Sequence, residues 1–259
     1  MRARRAVLGT FRLVHPFPSF LVASVTVLLV PLADSDAGLA LYLRLGLGML
    51  CYQFAIGAAN DVLDEELDRA TKPGKPLAAG RVSRPFAIGV AVGSAGLGML
   101  ITLGLDPGPW AIGLAGLFLG LAYDGGIKRT GLSWLPMALA FPLIPAFVFT
   151  AAGVWEPLLW WAFPVGLLFG FAVHMANQIP DIAADSANRV RGAAHRVGTR
   201  RALGLALAGF GAGVSLAAGI GLMVLSAGPR ATRLFGRDGL FGVIAVSSGV
   251  VAVVLLSAV

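Results

Sequence analysis

Asn60-Asp61-Val62-Leu63-Asp64-Glu65-Glu66-Leu67-Asp68 closes a long apolar run in a chain of 259 residues that carries only 13 Asp and Glu. Asn60, Asp64 and Asp68 recur every four residues. Four helical residues turn through about 400°, so these side chains climb one face with little drift. Carboxylates crowded on one face repel one another and hold protons more tightly. A divalent cation relieves that repulsion. An all-oxygen set suits Mg2+, which keeps several waters and shares itself with phosphates.

A second copy follows. Asn177-Gln178-Ile179-Pro180-Asp181-Ile182-Ala183-Ala184-Asp185 also ends an apolar run, with Asn177 lying 117 residues after Asn60. In this register Asp181 falls on Asp64, Asp185 falls on Asp68, and Gln178 stands where the first copy has Asp61. A single pattern of this kind is common at a solvated helix end. Two at equivalent places point to a paired site.

The chain is 57% hydrophobic and 13% charged, against about 45–50% and about 25% for soluble domains. Eight apolar segments are expected to span a bilayer, at about 17–33, 38–59, 85–105, 109–123, 133–152, 157–176, 201–226 and 239–259. The basic start Arg2, Arg4, Arg5 runs through Arg12 into the first span without a small-residue cleavage site, so no signal peptide is expected. Most of the 20 Lys and Arg lie in the N-terminus and in the loops after spans two, four and six. The positive-inside rule places these, and both acidic motifs, in the cytoplasm of a cell whose membrane holds the protein, with a prokaryote as the expectation. Arg230, Arg233 and Arg237 on the opposite side are a mild dissent. The net charge of +7 follows from topology and from contact with membrane lipids, and needs no nucleic-acid partner. The single cysteine, Cys51, excludes a disulfide and a Cys-based metal site. The whole chain, 1–259, reads as one integral-membrane domain. The motif offset predicts two pseudo-repeated halves, about 1–130 and 131–259.

The cytoplasmic loops set cations after acids. Lys72 and Lys75 follow the first motif within Lys72-Pro73-Gly74-Lys75-Pro76, and Arg191 follows the second. Acids that hold a metal, succeeded by cations that meet phosphate oxygens, fit a metal–pyrophosphate ligand. Between them, Tyr123-Asp124-Gly125-Gly126-Ile127-Lys128 offers Tyr123 and Lys128 as phosphate donors, with glycines that let backbone approach. Asn177 joins them as a substrate contact. His174 shares the face of Asn177 and reads mainly as a satisfied core group. His15 marks the cytoplasmic start of span one. Pro136, Pro142 and Pro145 predict a kinked fifth span beside a cavity.

These residues resemble the UbiA superfamily of intramembrane prenyltransferases. Asn60 to Asp68 fits its first N-[DQ]-x-x-D-x-x-x-D motif, Asp181 to Asp185 its second D-x-x-x-D, and Tyr123 to Lys128 its intervening loop. Lys72 to Gly80 is similar to the segment after the first motif, and Arg191 falls where a basic residue is usual. Ser186 and Gly192-Ala193-Ala194 depart from the family pattern. The resemblance implies an all-α bundle of two four-helix halves around a central cavity, with nine spans where eight are read here. It implies Mg2+-dependent transfer of a prenyl group from a prenyl diphosphate to a lipophilic acceptor, aromatic or lipid.

In that reading Asp64, Asp68, Asp181 and Asp185 are the catalytic acids. With Asn60, and with Asp61 in support, they hold two metal ions. Lys72, Lys75, Tyr123, Lys128, Arg191 and Asn177 bind substrate. Aromatics such as Phe54, Phe141, Phe147, Phe149, Phe163, Phe169 and Phe171 are candidates to line the tunnel and to stabilise an allylic cation. A membrane terpene cyclase from the same superfamily is the alternative. A secondary transporter is more remote, because its acids would lie at mid-bilayer rather than at span ends.

Overall fold

The computed structural model describes residues 9–155, 157–182 and 192–226. Among them the chain forms helices α1 (Pro16–Ala33), α2 (Leu39–Leu63), α3 (Glu65–Thr71), α4 (Arg84–Thr102), α5 (Pro107–Asp124), α6 (Leu135–Ala151), α7 (Ala162–Gln178), α8 (Ala193–Val197) and α9 (Thr199–Ser226), and no strand. Seven of the eight expected spans are thus helices, and the eighth, 239–259, lies outside the described residues. Among the described residues, five helical segments are long and apolar enough to cross a membrane.

The surface inverts the soluble pattern. Phe17, Leu39, Val92, Leu100, Phe118 and Leu222 are each more than half exposed. Scattered over several helices, such side chains need an apolar solvent. The buried interior instead holds small residues and polar groups, among them Ala55, Ala58, Thr26, Asp61 and His174. Close helix approach through small residues is the usual device where lipid removes the hydrophobic drive between helices.

Prolines set several starts. Asp106-Pro107-Gly108-Pro109, read as an outer turn, is the N-cap and first turn of α5. Pro136 lies in the first turn of α6 and so does not kink it, whereas Pro142 and Pro145 lie inside that helix. A first-turn proline gives up an N–H that has no partner anyway. Ser83 caps α4 by accepting from the Phe86 N–H at 3.4 Å, which satisfies one orphan donor. Arg44, the lone cation of span two, donates to the Gly104 carbonyl beyond the end of α4.

Helix α2 is the hub of the first half, packed on α1, α4 and α5. Helix α7 plays the same part in the second, packed on α6 and α9. The halves meet where α6 contacts α5 and α1. At the α6–α7 crossing a Cβ on Gly170 would stand 2.5 Å from the Met137 carbonyl oxygen and 2.7 Å from Ala138 Cα. Gly170→Ala is therefore expected to cost about 1–3 kcal/mol, read as a lower Tm in detergent. Gly211→Ala, whose Cβ meets nothing within 4 Å, is the control and should hold Tm or raise it slightly.

Candidate active site

Helix α2 ends at Leu63, and Asp64 is the joint to α3. The ladder scarcely breaks: the Asp64 N–H reaches the Asn60 carbonyl at 2.9 Å, and the Asp68 N–H reaches the Asp64 carbonyl at 2.8 Å. The four-residue period therefore still sets the side chains on one side. Asn60 Nδ2 donates to Asp64 Oδ2 at 3.2 Å. Asp61, Asp64 and Asp68 are all buried, with Asp61 only 1% exposed. Glu65 is buried too, but it pairs outward with Arg69 and with Arg84 at 2.6 Å, which fastens α3 to the start of α4.

Two lysines stand among the acids. Lys75 Nζ lies 2.9 Å from Asp61 Oδ1 and 2.7 Å from Asp68 Oδ2, and donates to Asn60 Oδ1 at 3.2 Å. Lys128 Nζ lies 2.6 Å from Asp64 Oδ2 and 3.1 Å from Asp124 Oδ1. Burial pushes the Asp68 carboxyl above its usual range; the Asp64 and Asp61 carboxylates add to this while Lys75 pulls against it. For Lys75, burial works against the charge, yet hydrogen bonds to Asp68 and Asp61 prevail and hold its pKa above the ordinary value. Two acids share one ammonium.

Asp124 is the participant that sequence reading passed over. It is 4% exposed and accepts from Asn60 Nδ2 at 2.6 Å. The signal was available: an acid four residues before Lys128 at the end of an apolar segment. Gly126, at φ 149, turns the chain so that Lys128 folds back onto Asp64. Arg129 adds a contact to Asp64 at 3.4 Å. His15 Nε2 meets Asp61 Oδ1 at 2.9 Å, so the histidine at the start of span one belongs to the cluster.

The second motif reaches the same end of the bundle. Gln178 Nε2 donates to the Tyr123 hydroxyl at 3.0 Å, which ties α7 to α5. Asn177 is exposed on the last turn of α7, and Asp181 closes the 3-10 turn Ile179–Asp181. Asp185 and Arg191 lie outside the described residues. Lys72 caps α3, half-buried beside Lys75. His174 is fully buried, bonds Ser133 Oγ at 3.0 Å and packs edge-on against Tyr123. It is a core group as expected, but only half satisfied: its Nδ1 is buried with no hydrogen-bond partner among the described residues. Ser133 Oγ also accepts from the Ala193 N–H at 2.8 Å.

Beneath the acids lies a cavity of about 340 Å³ between α1, α2, α5 and α6. Asn60, Tyr123 and Asp124 are at its polar end, and Val22, Met49, Ile112, Ile144 and Phe147 line the apolar remainder. Of the aromatics expected to line a tunnel, Phe141 and Phe147 do so; Phe169 is instead packed among Val173, Phe210 and Val214.

The donor set fits magnesium in kind: Asn60, Asp61, Asp64, Asp68 and Asp124 offer only hard oxygens. Asp61 Oδ2 is buried with no hydrogen-bond partner, an arrangement that a cation would repair. Among the described residues no three acids or histidines converge closely enough to hold a metal as they stand. The lysine ammoniums occupy the space between them.

The sequence model of the UbiA prenyltransferase family matches residues 19–257. The chain belongs to the UbiA prenyltransferase family. It is 28% identical over 147 residues, 56% of this chain, to digeranylgeranylglyceryl phosphate synthase of Korarchaeum cryptofilum (strain OPF8). That match covers 52% of the relative, so the chain spans about half of its length. A UbiA homologue from Archaeoglobus fulgidus, bound to GPP and Mg2+, superposes with a TM-score of 0.74 at 15% identity, covering 96% of this chain and 98% of that one. The apo UbiA homologue from Aeropyrum pernix K1 gives 0.67 at 16%, covering 92% and 97%. These likenesses carry the fold, an all-helical bundle, to this chain.

Within this UbiA site, Ser133→Ala would strip the buried His174 ring and the Ala193 N–H of a shared partner. It should cost about 1–3 kcal/mol. Thermal unfolding in detergent reads this as a lower Tm, with the Asp64–Lys128 side of the site intact.

Proposed function

We propose that this chain transfers a prenyl group from a prenyl diphosphate to a lipophilic acceptor within the membrane. One observation carries the reading: the buried acid–lysine cluster sits on the rim of an apolar cavity, and Asn60 and Asp124 belong to both. A molecule with an anionic head and a hydrocarbon tail matches that junction. The names of the relatives, with GPP and Mg2+ bound to one of them, support the same class.

Asn60, Asp61, Asp64 and Asp68 would hold Mg2+ on one side, with Asp181 and Asp185 on the other. Magnesium, when bound, supplies positive charge that neutralises the diphosphate as it leaves. With those carboxylates so engaged, Lys75 and Lys128 would be free to leave them. Both ammoniums then turn to phosphate oxygens, joined by the Tyr123 hydroxyl and, from the second half, Asn177 and Arg191. Asp124 steers Lys128 and Asn60. The cavity walls exclude water from the allylic carbon, so the acceptor rather than water captures it. The basic end of the bundle, which carries the site, faces the cytoplasm in this reading. The matched packing around α2 and α7, together with the 117-residue offset between Asn60 and Asn177, supports the two halves as copies of one ancestral unit.

The reading is tested with Asp64→Asn and Asp181→Asn. Each variant, eluting and melting like the parent, should lose at least about a hundredfold in turnover with Mg2+, prenyl diphosphate and a panel of acceptors. Full turnover in either sinks the mechanism. Release of a cyclic hydrocarbon without acceptor would make the chain a cyclase instead.

Cavity length gives a second prediction. Gly116 lines the cavity, and a Cβ there meets nothing within 4 Å. Gly116→Phe starts from a position open to a Cβ and projects a ring into the cavity. The ratio of kcat/KM for long over short prenyl diphosphates should fall by about tenfold or more.

A further inference from the structure

Asp61 carries two partners on one oxygen and none on the other. Its Oδ1 meets His15 Nε2 at 2.9 Å and Lys75 Nζ at 2.9 Å. Its Oδ2 is buried with no hydrogen-bond partner. A pairing that served stability alone would spread the two donors, because a buried acceptor left bare costs free energy. The imidazole instead doubles a contact that Lys75 already makes.

The backbone at His15 is built for that contact. His15 is the N-cap of α1, yet its side chain makes no cap bond. Pro16 and Pro18 follow it and have no N–H to be capped, so capping does not account for the residue. His15 has φ 48, among the described residues the sole non-glycine with positive φ. The flanking chain imposes this turn. Ser19 Oγ donates to the Val14 carbonyl at 2.8 Å. Leu13 is fully buried in a cluster with Ala58 and Leu77. A Cβ on Gly57 would stand 3.0 Å from the Val14 carbonyl carbon and oxygen and 3.3 Å from His15 Cβ. Only glycine lets α2 come this close to the Val14–His15 backbone. Strain of this kind persists where surroundings over-determine it. Here it aims one imidazole at one carboxylate oxygen.

We propose that His15 is a positioning residue for the metal site. Its bond to Oδ1 sets the rotation of the Asp61 carboxylate and so presents Oδ2 to the divalent cation. The inference rests on the transfer reading above for the cation's place among the acids. If Lys75 leaves for a phosphate oxygen, His15 alone still holds Oδ1, and the carboxylate keeps its orientation. Partners that orient a ligating carboxylate or imidazole in this way are typically worth about 10–100-fold in metal affinity.

The test uses the full chain in phosphatidylcholine nanodiscs, with Mn2+ as the probe. Mn2+ takes the same oxygen ligands as Mg2+, and electron paramagnetic resonance counts the free ion. His15→Asn keeps a residue that tolerates positive φ but is too short to reach Oδ1, so the Kd for Mn2+ should rise about tenfold or more. His15→Gln brings an amide N–H to the place of Nε2 on a backbone less suited to it. Its Kd should return to within about threefold of the parent, although Tm falls. Ser19→Ala loosens the same turn without touching Asp61, and should lower Tm while leaving the Kd unchanged. Three results overturn the proposal: an Asn variant that binds like the parent, a Gln variant that binds more weakly than the Asn variant, or an equal loss in Ser19→Ala. In the last two, the integrity of the turn rather than the imidazole would govern the metal. A parent chain that binds no Mn2+ overturns it as well. Prenyl transfer separates the two readings. Transfer by the parent, with parental Kd in His15→Asn, sinks the positioning role alone. No transfer by the parent, with weakened Mn2+ binding in His15→Asn, sinks the transfer reading and leaves the positioning role standing.

Discussion

Four carboxylates buried at one end of an apolar bundle are the constraint on which the rest depends. Asp61, Asp64, Asp68 and Asp124 are each no more than 8% exposed, and unpaired charges so placed would cost several kcal/mol apiece. Lys75 and Lys128 offset that cost, each from a loop that must fold back over its own helix end. The loops are therefore structured because the acids need them. Gly126 at φ 149 and the Pro73–Pro76 stretch are the backbone means. Lys75 pairs with Asp61 and Asp68, and Lys128 with Asp64 and Asp124, so every acid has a cationic partner while the cluster keeps an excess of negative charge. On the proposed function, a cation on the acids would leave the lysines for an anion, and the same charges would serve stability and binding.

Much of this was legible in the sequence because its physics is local. The four-residue recurrence of Asn60, Asp64 and Asp68 survives the break at Asp64, since the backbone ladder continues through it. Lys75 and Lys128 were legible as cations following acids, and the apolar runs became helices near their expected bounds. What escaped depends on chain segments far apart in sequence. Asp124 reads as an ordinary helix end until Asn60, 64 residues earlier, meets it. His15 reads as a residue before a proline until Gly57 admits it against α2. Among the aromatics, periodicity alone cannot tell cavity from core: Phe147 and Phe169 both sit in apolar runs, and only the neighbour across the crossing separates them.

Glycine and proline decide where space is left. At the α6–α7 crossing Gly170 erases the gap between helices. On α5, by contrast, Gly116 meets nothing and leaves one open. Gly113, Gly116 and Gly120 of α5 all line the cavity; Tyr52 and Phe147 close around Gly113 and Ile56 closes on Gly120, so the open stretch lies at Gly116. Tyr52 is fixed by its 2.7 Å bond to Thr102, so that part of the wall is rigid. The chain thus packs tightly where helices cross and stays hollow along one seam, with the hollow opening under the acids.

That geometry orders the chemistry in space. Buried acids and their lysines stand at the rim, and apolar side chains line the cavity beneath it. Asp61 joins two segments far apart in sequence, bonded to His15 at the start of α1 and to Lys75 in the loop after α3, with one oxygen unpartnered. A change of charge at that oxygen would be felt by both partners at once, so the start of α1 and the loop after α3 are linked electrostatically through a single buried carboxylate.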